Sequence, residues 1–245
     1  MSIIGIDIGG SGIKGAPVDL GTGQLLTERH KLLTPQPATP AAVAASAVAL
    51  AQEFPAAARY GVAVPAVVKQ GVALTAANID PQWIGFDIGR LFSEALRAPV
   101  FVLNDADAAG LAEMHFGAGR EERGTVVMLT LGTGIGTAVF LDGRLVPNTE
   151  LGHLEVRGKE AEKRAAAQVR KNDHLSWPKW AARVSEVLGT FENLLWPDLF
   201  IIGGGVSRKA DKFMPLLECH TRVVPAALGN DAGIVGAALA AWDEP

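Results

Sequence analysis

The sequence predicts an α/β protein made of two similar lobes. Three observations carry that expectation. The first is a loop that occurs twice, Gly-Ser-Gly-Ile-Lys-Gly-Ala at 10–16 and Gly-Thr-Gly-Ile-Gly-Thr-Ala at 132–138. Each copy follows an apolar run, IIGIDI at 3–8 or VVMLTL at 126–131, and leads into a second apolar run closed by a tight turn. The second is that strand-like and helix-like segments mix along the whole chain, as in the α/β class. The third is bulk: 245 residues, 49% of them apolar, with a mean hydropathy of +0.22, suffice for a full core in one large domain or two small ones. A repeat this long does not suit a solenoid; it suits duplicated lobes around a central cleft.

The first half opens as a β-meander over 3–33, built from IIGIDI, IKGAPVDL and QLLTERHKLL. Thr34–Pro40 is a proline-rich connector. Thr39 suits an N-cap with Pro40 at the first helical position, so the alanine-rich run 41–52 is expected as a helix. Residues 60–68 read as a buried strand ending in a proline loop, 87–97 as a helix, 99–104 as a strand entering Asn104-Asp105, and 106–115 as a helix. The second half repeats the meander at 125–131, 135–141 and 144–147. Helices are expected at 159–171 and 177–195, and a strand at 199–202 ends on Gly203-Gly204-Gly205. A helix at 208–218, a strand at 222–224 and an apolar helix at 231–242 that packs back on the body complete the chain. The lobes are expected to be 1–104, joined by 231–245, and 105–230.

Composition narrows the function. No apolar run approaches the roughly 18 residues of a membrane helix, so no membrane partner is expected. With the first strand starting at Ile3 there is no room for a leader, and a cytoplasmic location is expected. Cys219 is the single cysteine, which excludes a disulfide framework and a cysteine-based zinc site. A net charge of −4 argues against broad duplex binding, so no nucleic-acid partner is expected, while a local basic groove stays open.

The chemistry concentrates in a few segments. Glycines with a small hydroxyl residue let backbone N–H groups converge on an anion, so the two loops suit a chain of phosphates. Lys14, inside the first loop, is the strongest basic candidate for that anion. Asp7 sits in an apolar strand, where an unpaired carboxylate is costly. It is either bonded to the glycine loop or a Mg²⁺ carboxylate, direct or through water, since Mg²⁺ favours one or two carboxylates plus phosphate oxygens. Aligning the two loops places Asp7 opposite Leu129. Asp105, at a strand-to-helix junction, is either an N-cap or a general base at the C-terminal end of a strand, where α/β sheets gather ligands. Asn104 could supply the cap and leave Asp105 to the cleft. Glu150, His153, Glu155, Glu160 and Glu162 form a polar cluster that suits sugar hydroxyls, a solvated face or a metal, although no HExxH spacing is present. The basic residues Lys159, Lys163, Arg164, Arg170 and Lys171, and Arg208, Lys209 and Lys212, form either solvated faces or a groove for a polyanion. Trp177 and Trp180 read as packing at a helix start.

At these residues the chain resembles the ROK family of sugar kinases and sugar-responsive repressors. The matching pieces are DIGGSGIKGA at 7–16, VPAVV at 64–68, LNDADAAGLAE at 103–113, TLGTGIGTAVF at 130–140, ELGHLE at 150–155 and IIGGGVS at 201–207. Within the family the nearer likeness is to the polyphosphate-dependent glucokinases, on KLLTPQPATP, TAANID, LVPNTE, GKEAE, WPDLFI, GGGVSRKADK and VVPAAL. The resemblance implies an actin-like (ribonuclease H-like) two-lobed ATPase fold and a homodimer. It implies phosphoryl transfer from inorganic polyphosphate to the 6-hydroxyl of glucose, with ATP open as a second donor and Mg²⁺ as cofactor. By the same likeness Asp105 is the base for the 6-hydroxyl. Asn78, Asn104, Glu150, His153 and a glutamate at 160–162, preferably Glu162, hold the sugar. Gly9, Gly10, Ser11, Gly12 and Lys14, with Gly132, Thr133 and Gly134, cradle phosphates, while Gly204 and Gly205 face the outer part of the donor.

Two departures from the family pattern stand out. The cysteine-rich zinc loop that often follows Gly-His is replaced by cysteine-free GHLEVRGKEAEKRAA, so no structural zinc is expected. The glycine usual after the sugar-loop proline is Ala66. Two rival readings are a strictly ATP-dependent glucokinase or mannokinase, and a sugar-sensing regulator without turnover.

Overall fold

A computed structural model of the chain describes residues 2–77 and 79–243, the side chain of Asp243 excepted. Asn78, expected at the sugar, lies outside the described residues. Two compact units are present: one runs to Ala112 and resumes at Asp231, and the other is Glu113–Asn230.

The first unit holds β1 (Ile3–Gly9), β2 (Gly12–Asp19), β3 (Gln24–Leu25), β4 (His30–Leu32), α1 (Pro40–Ala51), β5 (Arg59–Val64), β6 (Val68–Lys69), β7 (Val72–Ala73), α2 (Ile88–Leu96), β8 (Val100–Asn104) and most of α3 (Asp105–Phe116). Its sheet runs β3-β2-β1-β5-β8, with β4 also on β2. The third meander segment is therefore two short strands, both paired to β2. Side chains alternate across this sheet with period two. Ile4, Ile6, Ile8, Val62 and Val64 meet Val43, Ala47 and Leu50 of α1 and Phe92 of α2 in one core. Ala63 and Leu103, on the other face, meet Ala108 of α3 and Ala237 and Ala240 of the last helix. Thr39 caps α1 by accepting from the Ala42 N–H, as its sequence position suggests.

The second unit holds β9 (Thr125–Leu131), β10 (Ile135–Leu141), β11 (Arg144–Val146), β12 (Glu155–Val156), β13 (Lys159–Glu160), α4 (Ala161–Ala165), α5 (Ala167–Asn172), α6 (Trp177–Leu195), β14 (Leu199–Gly203), α7 (Ala210–Phe213) and β15 (Arg222–Pro225). Its sheet runs β11-β10-β9-β14-β15. Apart from β4, which has no counterpart, this repeats the first sheet: an antiparallel meander followed by two parallel strands. α8 (Ala232–Asp243) returns to the first unit and packs on β1 and β5.

Several expected elements differ. Asp7 pairs with Lys14 in the first hairpin, but the residue paired to Gly136, the counterpart of Lys14, is Thr130. Between the equivalent pairs Ile8↔Ile13 and Leu131↔Ile135 the second turn is one residue shorter, so the counterpart of Asp7 is Thr130 and not Leu129. The helix expected at 159–171 opens as strand β13 and then breaks at Ala166, whose ψ of 149° ends α4 and starts α5. The helix expected at 208–218 is reduced to the four residues of α7 between short 3₁₀ turns, with Pro215 in the second of these.

Candidate active site

In the first unit the candidate groups collect at one end of the sheet. The registers Asp7↔Ala63 and Ala63↔Leu103 put Asp7 and Leu103 in one row across β1, β5 and β8. Adjacent strands lie about 4.8 Å apart. Asp105, two residues beyond that row, and the turn Gly9–Gly12 therefore occupy the same edge, the C-terminal end of the parallel strands. Thr34, which is buried, donates its hydroxyl to the Gly9 carbonyl at 2.5 Å and fixes the turn from behind.

Asp7 is not an unpaired buried charge. The Lys14 ammonium lies 3.1 Å from its Oδ2, and both side chains are part-buried. A Cβ on Gly233, in the first turn of α8, would stand 2.9 Å from the Asp7 carboxyl carbon. Only glycine lets the start of that helix approach so closely, and a helix start favours an anion. Lys14 thus faces Asp7.

Asn104 ends β8 as the cap of α3. Its Oδ1 accepts from Ala106 N–H at 2.8 Å and Asp107 N–H at 3.1 Å. Its Nδ2 donates to the Ala66 carbonyl at 3.2 Å, tying the helix start to the proline loop after β5. Asn104 is thereby the cap that Asp105 could otherwise have been. Asp105 stands half-buried in the first turn of α3.

In the second unit the two glycine segments touch. Gly204 has φ +80°, and a Cβ on it would lie 2.6 Å from the Leu131 carbonyl oxygen, at the entry to Gly132-Thr133-Gly134. The Gln168 N–H donates to the Gly132 carbonyl at 3.1 Å, so the start of α5 holds the loop from its other side. That bond accounts for the break between α4 and α5: a continuous helix would spend the same N–H on its own carbonyl ladder. Ser11 and Thr133 are exposed at their respective tips, as is Gly205.

The sugar-loop candidates converge beside this loop. A Cβ on Gly134 would lie 2.4 Å from Glu162 Oε2, so the Glu162 carboxylate rests against the loop backbone. His153 Nε2 lies 3.8 Å from Glu150 Oε2, and its Nδ1 lies 3.9 Å from Glu160 Oε2. Ring nitrogen and carboxylate oxygens of His153, Glu160 and Glu162 all fall within 4.8 Å of one another. Partial burial raises Glu150 above the usual carboxylate range; His153 pulls it back, and the Glu162 charge raises it further. Glu160 is held below its usual range, first by the hydrogen bond from Lys163. Glu155 lies exposed on β12.

Sequence reasoning missed the clamp that holds this loop. Thr137, fully buried in β10, donates to the Thr149 carbonyl at 2.7 Å and accepts from Leu151 N–H at 3.1 Å. Thr149 returns a bond to the Thr137 carbonyl at 3.1 Å. Glu150 is therefore gripped on both sides. A threonine amid a buried strand was the available signal, because its hydroxyl must find a partner.

Most of the basic run 159–171 is engaged elsewhere. Lys163 pairs with Glu160, Arg164 with Glu186, and Arg170 lies 3.8 Å over the Trp177 ring. Trp180 is buried and donates to the Ala165 carbonyl, so the tryptophans are packing. Arg208, Lys209 and Lys212, just after the triple glycine, are exposed.

The ROK family model matches residues 3–168. The chain belongs to the ROK family. This ROK protein is 59% identical over 237 residues to the polyphosphate glucokinase of Mycobacterium tuberculosis (strain CDC 1551 / Oshkosh), covering 96% of this chain and 89% of that one. Among solved structures it is similar to an inorganic polyphosphate/ATP-glucomannokinase from Arthrobacter sp. strain KM, with a TM-score of 0.95 and 48% identity over 99% of each chain. It is also similar to a ROK family glucokinase from Streptomyces griseus solved with glucose and AMPPNP, with a TM-score of 0.86 and 25% identity over all of both chains. The fold is accordingly the α/β, actin-like ATPase fold of the ROK sugar kinases. No helix among the described residues is long and apolar enough to cross a membrane.

Proposed function

We propose that this chain is a glucokinase that transfers the terminal phosphoryl group of inorganic polyphosphate, and also that of ATP, to the 6-hydroxyl of glucose. The observation that carries the reading is the 59% identity to a polyphosphate glucokinase across nearly the whole chain. In this reading the residues take the following roles. Glu150, His153 and Glu162 accept hydrogen bonds from ring hydroxyls. Asp105 accepts the proton of the 6-hydroxyl; the oxygen attacks the terminal phosphorus, and the bond to the rest of the donor breaks. The donor leaves one phosphate shorter. The N–H groups of the turn 9–12, with Lys14, and of 132–134 hold donor phosphates, and Gly204 and Gly205 border the outer part of the chain. Phosphoryl transfer is mostly positioning and electrostatics, so this inventory is chemically sufficient.

Asp7 suits Mg²⁺ held through water. It offers a single carboxylate whose Oδ2 is already shared with Lys14, and Mg²⁺ keeps several waters and takes phosphate oxygens as further ligands. When bound, the ion supplies charge neutralisation of the donor phosphates. A homodimer in the cytoplasm completes the reading, by family resemblance.

Donor and sugar choice are read by one coupled assay of the purified protein: glucose with polyphosphate, with ATP, and with neither, then mannose in place of glucose. Glucose 6-phosphate should form with polyphosphate. Formation with ATP and none with polyphosphate would overturn the polyphosphate reading and favour the second one, a strictly ATP-dependent gluco/mannokinase, for which the AMPPNP-bound glucokinase relative speaks.

A further inference from the structure

We propose that Glu160 is a positioning residue for His153: its carboxylate, tethered by Lys163, holds the proton of the imidazole on Nδ1 and leaves Nε2 as a hydrogen-bond acceptor beside Glu150. The inference rests on the sugar-site reading above and deepens it. The geometry forms a chain. Lys163 Nζ lies 2.7 Å from Glu160 Oε2, the same oxygen lies 3.9 Å from His153 Nδ1, and Nε2 on the far side of the ring lies 3.8 Å from Glu150 Oε2. The charged groups facing the ring are thus Glu150, Glu160 and Glu162, with Lys163 behind Glu160.

A neutral imidazole donates from one nitrogen and accepts at the other, and the hydrogen bond at one nitrogen sets the state of its partner. Glu160 and Glu150 compete for that proton from opposite sides. Glu160 is set up to win. Its backbone is fixed by pairing with Glu155 in the β12–β13 hairpin, and Lys163 fixes its side chain. Among the described residues no lysine pairs with Glu150, and burial works against its charge. With the proton on Nδ1, the groups left facing a sugar are Nε2, Glu150 and Glu162, all acceptors. That set matches neighbouring hydroxyls of a sugar, each of which can donate. It rejects a ligand whose corresponding oxygens have lost their hydrogens.

The test is nitrogen NMR of the ¹⁵N-histidine-labelled, full-length protein without sugar, at a pH where the ring is neutral. The chain has five histidines, and the His153 signals are those lost in His153→Asn. The Nδ1–H form is expected in the wild type and in Glu160→Gln, which keeps an acceptor, and the Nε2–H form in Glu160→Ala. Glucose KM should rise about ten-fold in Glu160→Ala with kcat within about two-fold, and Glu160→Gln should recover most of the loss. An Nε2–H ring in the wild type, or a ring that does not respond to Glu160→Ala, overturns the proposal. Tautomers that follow the expected order with an unmoved glucose KM support the tether and overturn the sugar-site reading instead. Glu160 is part-exposed, and the same spectra report whether each variant is folded.

Discussion

Asn104 caps α3, a task that Asp105 could otherwise have carried, and the proposed role of Asp105 is that of the base. Because Asn104 caps α3, replacing Asp105 by Asn should leave the helix and glucose binding largely intact while kcat falls at least about 10²-fold, as for loss of a positioned base. Near-normal turnover in that variant would refute the assignment. Gly134 is a second residue with a sharp expectation. An added Cβ meets only the mobile end of Glu162, so Gly134→Ala should change stability little but push the carboxylate aside. A lost hydrogen bond to a charged group is worth about 1.5–3 kcal/mol, so glucose KM should rise about ten-fold or more. Glu150 ties binding to pH. Its pKa is raised in the folded protein, so the folded state binds the proton more readily than the unfolded one, and stability falls as pH rises through the window above the ordinary carboxylate value. Glu150→Gln should therefore melt higher than wild type above that window, match it below, and bind glucose poorly throughout; melting curves and glucose titrations across pH would show both. The cap at Asn104 was legible because an asparagine stood at the strand end just before the helix. The contact of Glu160 with His153 was not, because it depends on a hairpin hidden in a helix-like sequence.

That hairpin shows how elements were read and misread. KEAEKRAAAQV is rich in strong helix formers, yet Lys159 and Glu160 pair with β12 around Arg157 and Gly158, both at positive φ. Arg157-Gly158 was the available turn signal. Beyond it, the bond from Gln168 to the 132–134 loop outweighs a few tenths of a kcal/mol of propensity at Ala166. The meanders, α1, α6 and the parallel strands were legible because their periodicity, caps and proline signals agree. What sequence could not give was how closely α8 sits on β1 and β5. A Cβ on Gly61 would stand 1.8 Å from the Ala237 carbonyl oxygen, and one on Gly5 would stand 1.9 Å from that of Ile234. Backbone cannot yield as a side chain can. Gly61→Ala should cost about 3 kcal/mol or more, seen as a lower denaturant midpoint.

The whole molecule carries a net charge of −4, which does not draw in a polyanion from a distance. Attraction to polyphosphate must then be local, and Arg208, Lys209 and Lys212 are the exposed cations after the triple glycine. Replacing all three by Ala should raise the KM for polyphosphate several-fold, flatten its rise with added salt, and leave the KM for ATP nearly unchanged; initial rates at several ionic strengths would test it. The duplicated architecture was legible in the two glycine loops, and the identical strand order of the two sheets bears it out. The one-residue offset between the hairpins was not, since a loop's length is visible only once its flanking strands are paired. The return of the chain to its first sheet has a consequence for biosynthesis. Everything needed for 113–230 leaves the ribosome as one uninterrupted stretch, whereas the earlier-made sheet waits for residues 232–243 to cover Ala63 and Leu103. The half translated second should mature first, and the nascent amino-terminal strands should be the species that chaperones hold.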